Sequence, residues 1–210
     1  MRSEGPWWRV QVSPFRQAIG VFLLMFAAVF FYAMLANGMR FFIVESVSME
    51  PTLFGGDRLV AIRQKEYLRG DIVIVRDPLE QQGYLVKRVI GVSGDTVEIK
   101  AAAVFVNGQY LSEPYRPEPI DYTMSPYLVP QNFVFVLGDN SNYSVDSHNW
   151  AAAIRESDAI VPRALPLDSV IARAFFQYYP INRMRRIRHY PLSEQIELSP
   201  ARTTVARPLQ

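Results

Sequence analysis

The chain has 210 residues, 50% of them hydrophobic, with 22 Lys and Arg against 20 Asp and Glu and a formal net charge of +2. That length and composition suit one anchored domain of ordinary size with a core of its own. The positive charge is not gathered into one tract, which argues against a nucleic-acid partner. Zero Cys excludes a disulfide framework, and His148 and His189 stand too far apart in sequence to announce a metal-binding cluster.

Residues 1–17 form an N-terminal tail in which Arg2, Arg9 and Arg16 are opposed only by Glu4. From Ala18 to Ala36 the run AIGVFLLMFAAVFFYAMLA carries no charge in nineteen residues. As a helix rising ~1.5 Å per residue it covers roughly the ~30 Å hydrocarbon core of a bilayer. Asn37 to Met39 allow for tilt, so residues 18–39 read as a transmembrane anchor. A buried core helix would show polar breaks or a shorter run. A cleaved signal would end in a small-x-small site, where this run meets bulky Met39, Phe41 and Phe42. The basic tail keeps the N-terminus in the cytoplasm and places everything beyond residue 40 outside. Trp7 and Trp8 suit the membrane interface and, equally, an exposed tail.

Residues 40–180 read as one extracytoplasmic β domain. Strand-like runs rich in β-branched residues cover 58–63, 71–76, 84–92, 96–99, 104–106, 133–137 and 169–176. Gly55-Gly56-Asp57, Gly70-Asp71, Gly94-Asp95, Asn107-Gly108 and Gly138-Asp139 punctuate them as turns. No long amphipathic helix and no repeat interrupts the pattern, so the fold class is mainly β: a single N-terminal helix, then short antiparallel strands. Residues 112–131 hold five prolines and are expected to form a loop over one face. Residues 181–210 read as a basic and polar C-terminal tail, with Arg183, Arg185, Arg186, Arg188 and His189. Such a tail suits a solvated surface or contact with anionic lipid.

Two segments carry chemistry. Ser48 lies in SVSMEPTL, residues 46–53, about a dozen residues after the apolar span. A serine hydroxyl attacks only when a base takes its proton. Lys87, inside GYLVKRVIG at residues 83–91, can serve once desolvation lowers its pKa, by up to ~3–5 units. Leu85, Val86, Val89 and Ile90 provide the apolar flanks. Singly, a strand lysine beside Arg88 and a loop serine are ordinary surface features; the pairing behind an anchor is what points to catalysis.

With those residues in place the chain resembles the type I signal peptidases, the membrane-bound Ser/Lys proteases of bacteria. The likeness runs from the anchor to about Pro180 through four ordered boxes: 46–53, Gly70-Asp71-Ile72-Val73, the lysine box 84–91 with Gly94-Asp95, and Gly138-Asp139-Asn140 with Ser144-Val145-Asp146-Ser147. The resemblance implies that Ser48 is the nucleophile and Lys87 its base. It assigns the oxyanion to the Ser48 N–H and the Ser46 hydroxyl, and gives Ser144 the task of orienting the lysine. Arg88, Asp139 and Asp146 become scaffold, and Val44, Met49, Leu53, Leu85 and Val86 line the substrate pockets. It further implies cleavage of signal peptides from exported preproteins after a small-x-small motif, without cofactor or metal. The setting is a bacterial plasma membrane crossed once, with the secretion machinery as an expected associate. A membrane-anchored β domain that binds signal peptides or partner proteins without cutting them is the competing reading. Its support lies in departures from the family pattern: Glu45 for a proline, Val47 for a small residue, His148 for an arginine, Ala151 and Ala172 for glycines, and a long stretch at 151–160. His148 in particular predicts a weaker scaffold ion pair.

Overall fold

The computed structural model describes residues 13–36, 38–79, 83–150, 163–187 and 189–197. Ala151, the stretch 151–160, the N-terminal arginines Arg2 and Arg9, Trp7 and Trp8, Arg188, and the tail beyond residue 197 lie outside these. The chain divides into two compact units at Met39 and Arg40. The first holds α1, Pro14–Ala36, which starts four residues before the uncharged run. Pro14 at the first helical position needs no N–H partner. The Ser13 carbonyl accepts from the Arg16 and Gln17 amides, and Ser13 Oγ accepts from the Arg16 N–H at 3.4 Å, as a serine before a helix does. Gly38 then takes a φ of 80°, which ends the helical path. Its segment Pro14–Met34 has a mean hydropathy of 2.1 and is long and apolar enough to cross a membrane.

The second unit is built from two sheets. Strands β1 (Met39–Ile43), β2 (Arg58–Ile62), β3 (Ile72–Arg76), β4 (Tyr84–Val92), β9 (Phe133–Leu137), β10 (Leu165–Pro166) and β11 (Val170–Tyr179) form the larger sheet in the order β1-β2-β11-β3-β4-β9-β10. A short β12 (Arg185–Arg186) also pairs with β11. Strands β5 (Thr96–Lys100), β6 (Ala103–Val106), β7 (Gln109–Tyr110) and β8 (Met124–Leu128) form the smaller sheet in the order β7-β6-β5-β8. The ladders joining β2, β11, β3, β4, β9 and β10, and those of the smaller sheet, are antiparallel.

β3 and β4 are central, so both of their faces are covered. Ile72 and Ile74 join one apolar cluster with Val44, Met49, Leu53, Leu59 and Ala61, while Val73 and Val75 join another with Val89, Val136 and Trp150. Burial on both sides explains why the sequence of β3 is continuously apolar instead of alternating. Ile90 and Leu137 turn toward a third cluster with Val97, Ile99, Val104 and Val106, which ties the smaller sheet to the larger one.

Two expectations are corrected. Residues 112–131 are not all loop, because β8 runs through Pro126. β8 is an outer strand of its sheet, where a residue without an N–H breaks no ladder on the open side. Nor are residues 181–197 a solvated tail. β12 pairs with β11, Ile187 packs beside the Val44 cluster, and Leu192, which opens α2 (Leu192–Glu197), is fully buried in the third cluster. The segment is rich in arginine, yet Ile187, Tyr190 and Leu192 decide where it goes.

Candidate active site

The segment after β1 leaves the sheet and returns to β2. Its base is closed by Val44 N–H to the Asp57 carbonyl at 2.9 Å and Gly56 N–H to the Val44 carbonyl at 2.8 Å. Two turns inside it, Glu50 N–H to Val47 O at 3.1 Å and Leu53 N–H to Met49 O at 2.8 Å, lift the serines out. Met49 and Leu53 are sunk into the core below. Glu45, Ser46 and Val47 are exposed, and Ser48 is buried.

β4 presents Lys87 to this loop. Strand alternation puts Leu85, Lys87 and Val89 on one face and Val86, Arg88 and Ile90 on the other. Lys87 Nζ lies 2.7 Å from Ser48 Oγ and donates to Ser144 Oγ at 3.0 Å. Ser46 Oγ is 3.0 Å from Ser48 Oγ. Ser48, Lys87 and Ser144 are only 4%, 2% and 6% exposed. Burial pushes the Lys87 ammonium below its ordinary pKa, and the charges of Asp146, Asp77 and Asp139 pull it back only in part.

The loop after β9 closes the site from the other side. Asn140 N–H donates to the Ser48 carbonyl at 3.0 Å, and its side-chain amide to the Val47 carbonyl at 3.3 Å. A single turn of 3-10 helix, Ser141–Tyr143, then delivers Ser144 in extended conformation. The approach is close enough to require glycine at 138. A Cβ there would stand 2.5 Å from the Ser48 carbonyl oxygen and collide with Ser144 Oγ. Asp146 fixes this loop by accepting from the Gly138 N–H at 2.9 Å and pairing with His148 Nδ1 at 2.7 Å. His148 also stacks on Tyr122, with centroids 3.9 Å apart and planes inclined by 12°. The histidine at the arginine position therefore still meets its carboxylate.

Arg88, on the face opposite the lysine, holds Asp139 by two bonds: Nε to Oδ1 at 2.7 Å and Nη2 to Oδ2 at 2.6 Å. Its Nη1 donates to the Gly70 carbonyl at 3.0 Å, and its guanidinium lies 3.9 Å over the Tyr115 ring. Thr52 Oγ1 donates to Asp139 Oδ2 at 2.5 Å, which joins this scaffold to the nucleophile loop. Of the expected pocket residues, Val44, Met49, Leu53 and Val86 share one apolar cluster. Leu85 packs instead beside Val73, Val75 and Trp150.

Sequence reasoning missed Thr52, Tyr115 and Asn140 as contributors. Thr52 and Asp139 are 87 residues apart, and a hydroxyl inside a recognised motif gives no sign of the carboxylate it reaches. Tyr115 lay in the proline-rich stretch read as loop.

A serine hydroxyl in hydrogen-bond reach of a desolvated amine, itself steadied by a second hydroxyl, can run nucleophilic acyl transfer with lysine as base. That is the equipment of a serine hydrolase of the Ser/Lys kind. Residues 16–179 match the family model described as signal peptidase, peptidase S26, and the chain belongs to that family. It is 36% identical over 180 residues to a probable signal peptidase I-2 of Synechocystis sp., covering 79% of this chain and 77% of the relative. Over 159 residues it is 34% identical to a signal peptidase I of Bacillus licheniformis, covering 69% of this chain and 79% of the relative. A probable thylakoidal processing peptidase 2 of Arabidopsis thaliana is 38% identical over 158 residues, 70% of this chain. The chain spans only 40% of that plant protein's length. A solved signal peptidase I from Enterococcus faecalis overlaps 53% of this chain and 98% of its own, at 26% identity and a TM-score of 0.40.

Proposed function

We propose that the chain is a membrane-anchored serine endopeptidase that removes N-terminal signal peptides from exported preproteins after a small-x-small motif. The observation that carries this is the 2.7 Å separation of Ser48 Oγ from the buried Lys87 amine. In the working state Lys87 is neutral. Its N–H holds Ser144 Oγ, which aims the nitrogen lone pair at the Ser48 hydroxyl. Ser48 Oγ attacks the scissile carbonyl as its proton passes to Lys87. The Ser48 N–H and the Ser46 hydroxyl receive the oxyanion. Lys87 then gives the proton to the departing amine, leaving an ester on Ser48. Water, deprotonated by the same amine, cleaves that ester and releases the signal peptide's new C-terminus.

Substrate side chains flanking the cut would be selected against Val44, Met49, Leu53, Leu85 and Val86, of which the first three are buried in the apolar cluster below the loop. Residues 18–39 would anchor the chain with its N-terminus in the cytoplasm and residues 40–180 as catalytic domain on the far side of a bacterial plasma membrane. Association with the secretion machinery would bring preproteins to that face. The test is cleavage of a purified preprotein by the full chain and by its Ser48→Ala and Lys87→Ala forms. Both substitutions should remove on the order of 10⁴–10⁶-fold of the rate while leaving circular dichroism unchanged. Near-parental cleavage by Ser48→Ala would refute the proposal.

A further inference from the structure

The family match ends at residue 179, yet the residues just beyond it grip the loop that carries Ser48. After Pro180 a 3-10 turn, Ile181–Arg183, reverses the chain, and β12 sets Arg185 and Arg186 opposite Gln177 and Phe176. Two guanidinium groups then reach one limb of the nucleophile loop. Arg185 Nη2 donates to the Thr52 carbonyl, and its Nε to Gln177 Oε1 at 3.1 Å. Arg183 Nη2 donates to Asp57 Oδ1 at 2.5 Å and lies over the Phe54 ring, 4.7 Å from its centroid.

The points they hold are the ones that set the loop's shape. Asp57 accepts the Phe54 N–H at 2.9 Å through its other oxygen, and its carbonyl closes the loop base on Val44. Thr52, four residues beyond the nucleophile, carries the contact onward to Asp139. Among the described residues Arg185 is in no ion pair; it directs its donors to a carbonyl and an amide, as a tether for backbone would. Further on, Ile187 lies against the Val44, Met49 and Leu53 cluster. Tyr190 meets Tyr115 edge-on at 5.1 Å, and Tyr115 lies under Arg88. The segment therefore touches both the nucleophile loop and the scaffold beside the base.

We infer that residues 181–187, with Tyr190 beyond them, act as a strap that positions Ser48 over Lys87, with Arg183 and Arg185 as positioning residues acting through Asp57 and Thr52. Why placement matters rests on the peptidase reading above; the tethering itself does not. A misplacement of about 1 Å costs on the order of 10²-fold in rate, and the loop between β1 and β2 has no strand ladder of its own to prevent it.

The experiment compares Arg183→Ala, Arg185→Ala and Arg185→Lys in the full chain, with Arg186→Ala as control. Arg186, the neighbour of Arg185 in β12, lies over the Phe175 ring at 5.7 Å and, among the described residues, shows no side-chain hydrogen bond to the loop. Amide hydrogen exchange across residues 46–53 should be roughly 10-fold faster in both alanine forms and parental in Arg186→Ala. With a preprotein substrate, kcat should fall about 10-fold or more with KM within about twofold, and Arg185→Lys should recover part of the loss. Parental exchange in both alanine forms overturns the inference, and so does faster exchange with kcat unchanged. If the parental chain cleaves nothing, the peptidase reading falls instead, and exchange alone decides the strap.

Discussion

Lys87 holds an amine at 2% exposure with two hydroxyls as its polar neighbours. Its pKa is lowered by burial, so the rate should climb as pH rises through a midpoint below the ordinary lysine value of about 10.4. The sign for stability is the same. The unfolded chain binds the proton more tightly, so stability increases with pH between the folded and unfolded pKa values of this lysine. A pH–rate profile of kcat/KM checks the first statement; an acid limb at or above the free-lysine value would contradict it. Ser144→Ala, which removes the hydroxyl at 3.0 Å from the amine, should cost on the order of 10²-fold in kcat through misaimed base. Ser48 and Lys87 were legible only as a pair: a loop serine and a lysine in an apolar strand are each ordinary, and their combination behind a long apolar run is what pointed to the site. Thr52 and Tyr115 were not, because what they touch is far away in sequence and a single sequence carries no sign of it.

Among the elements, two of the tight junctions are at Gly138 and Gly70. A methyl at Gly138 would push apart Ser48 and Ser144, so Gly138→Ala should cost activity and stability together. Kinetics beside a melting curve would show it, and a fall in Tm with kcat preserved would count against the geometry. Gly70 sits at a φ of 95° and comes so close to the Tyr190 carbonyl that a Cβ would overlap it. Gly70→Ala should therefore destabilise by roughly 1–3 kcal/mol, from backbone strain and displaced strap together. Most strands were readable because β-branched runs alternate with Gly-Asp turns. Two features hid from that reading. Proline in β8 masked an outer strand, and charge in residues 181–190 masked a segment held by Ile187, Tyr190 and Leu192. Composition averages over a segment, whereas docking depends on two or three apolar side chains at the right spacing.

At the scale of the molecule, the catalytic unit is stabilised by ion pairs as well as apolar clusters. Asp95 is buried; burial raises its pKa, but the hydrogen bonds from Arg69, the Val92 N–H and Asn107 outweigh it and hold the carboxyl below its usual range. Its stabilisation is present above the unfolded carboxylate pKa and is lost as pH falls through the lower, folded one. Asp95→Ala leaves Arg69 buried without its partner and should cost about 3–5 kcal/mol, measured by urea unfolding at neutral pH. The long N-terminal apolar helix was legible from length and hydropathy alone, since α1 contains the whole uncharged run. What joins anchor, sheet and site is a single claim: Ser48, activated by Lys87, cuts signal peptides. The most direct measurement is N-terminal sequencing of the mature protein released from a preprotein by the purified chain in detergent. A single cut after a small-x-small site, absent with Ser48→Ala, is predicted. Cleavage elsewhere, or an undiminished cut by folded Ser48→Ala, would contradict it.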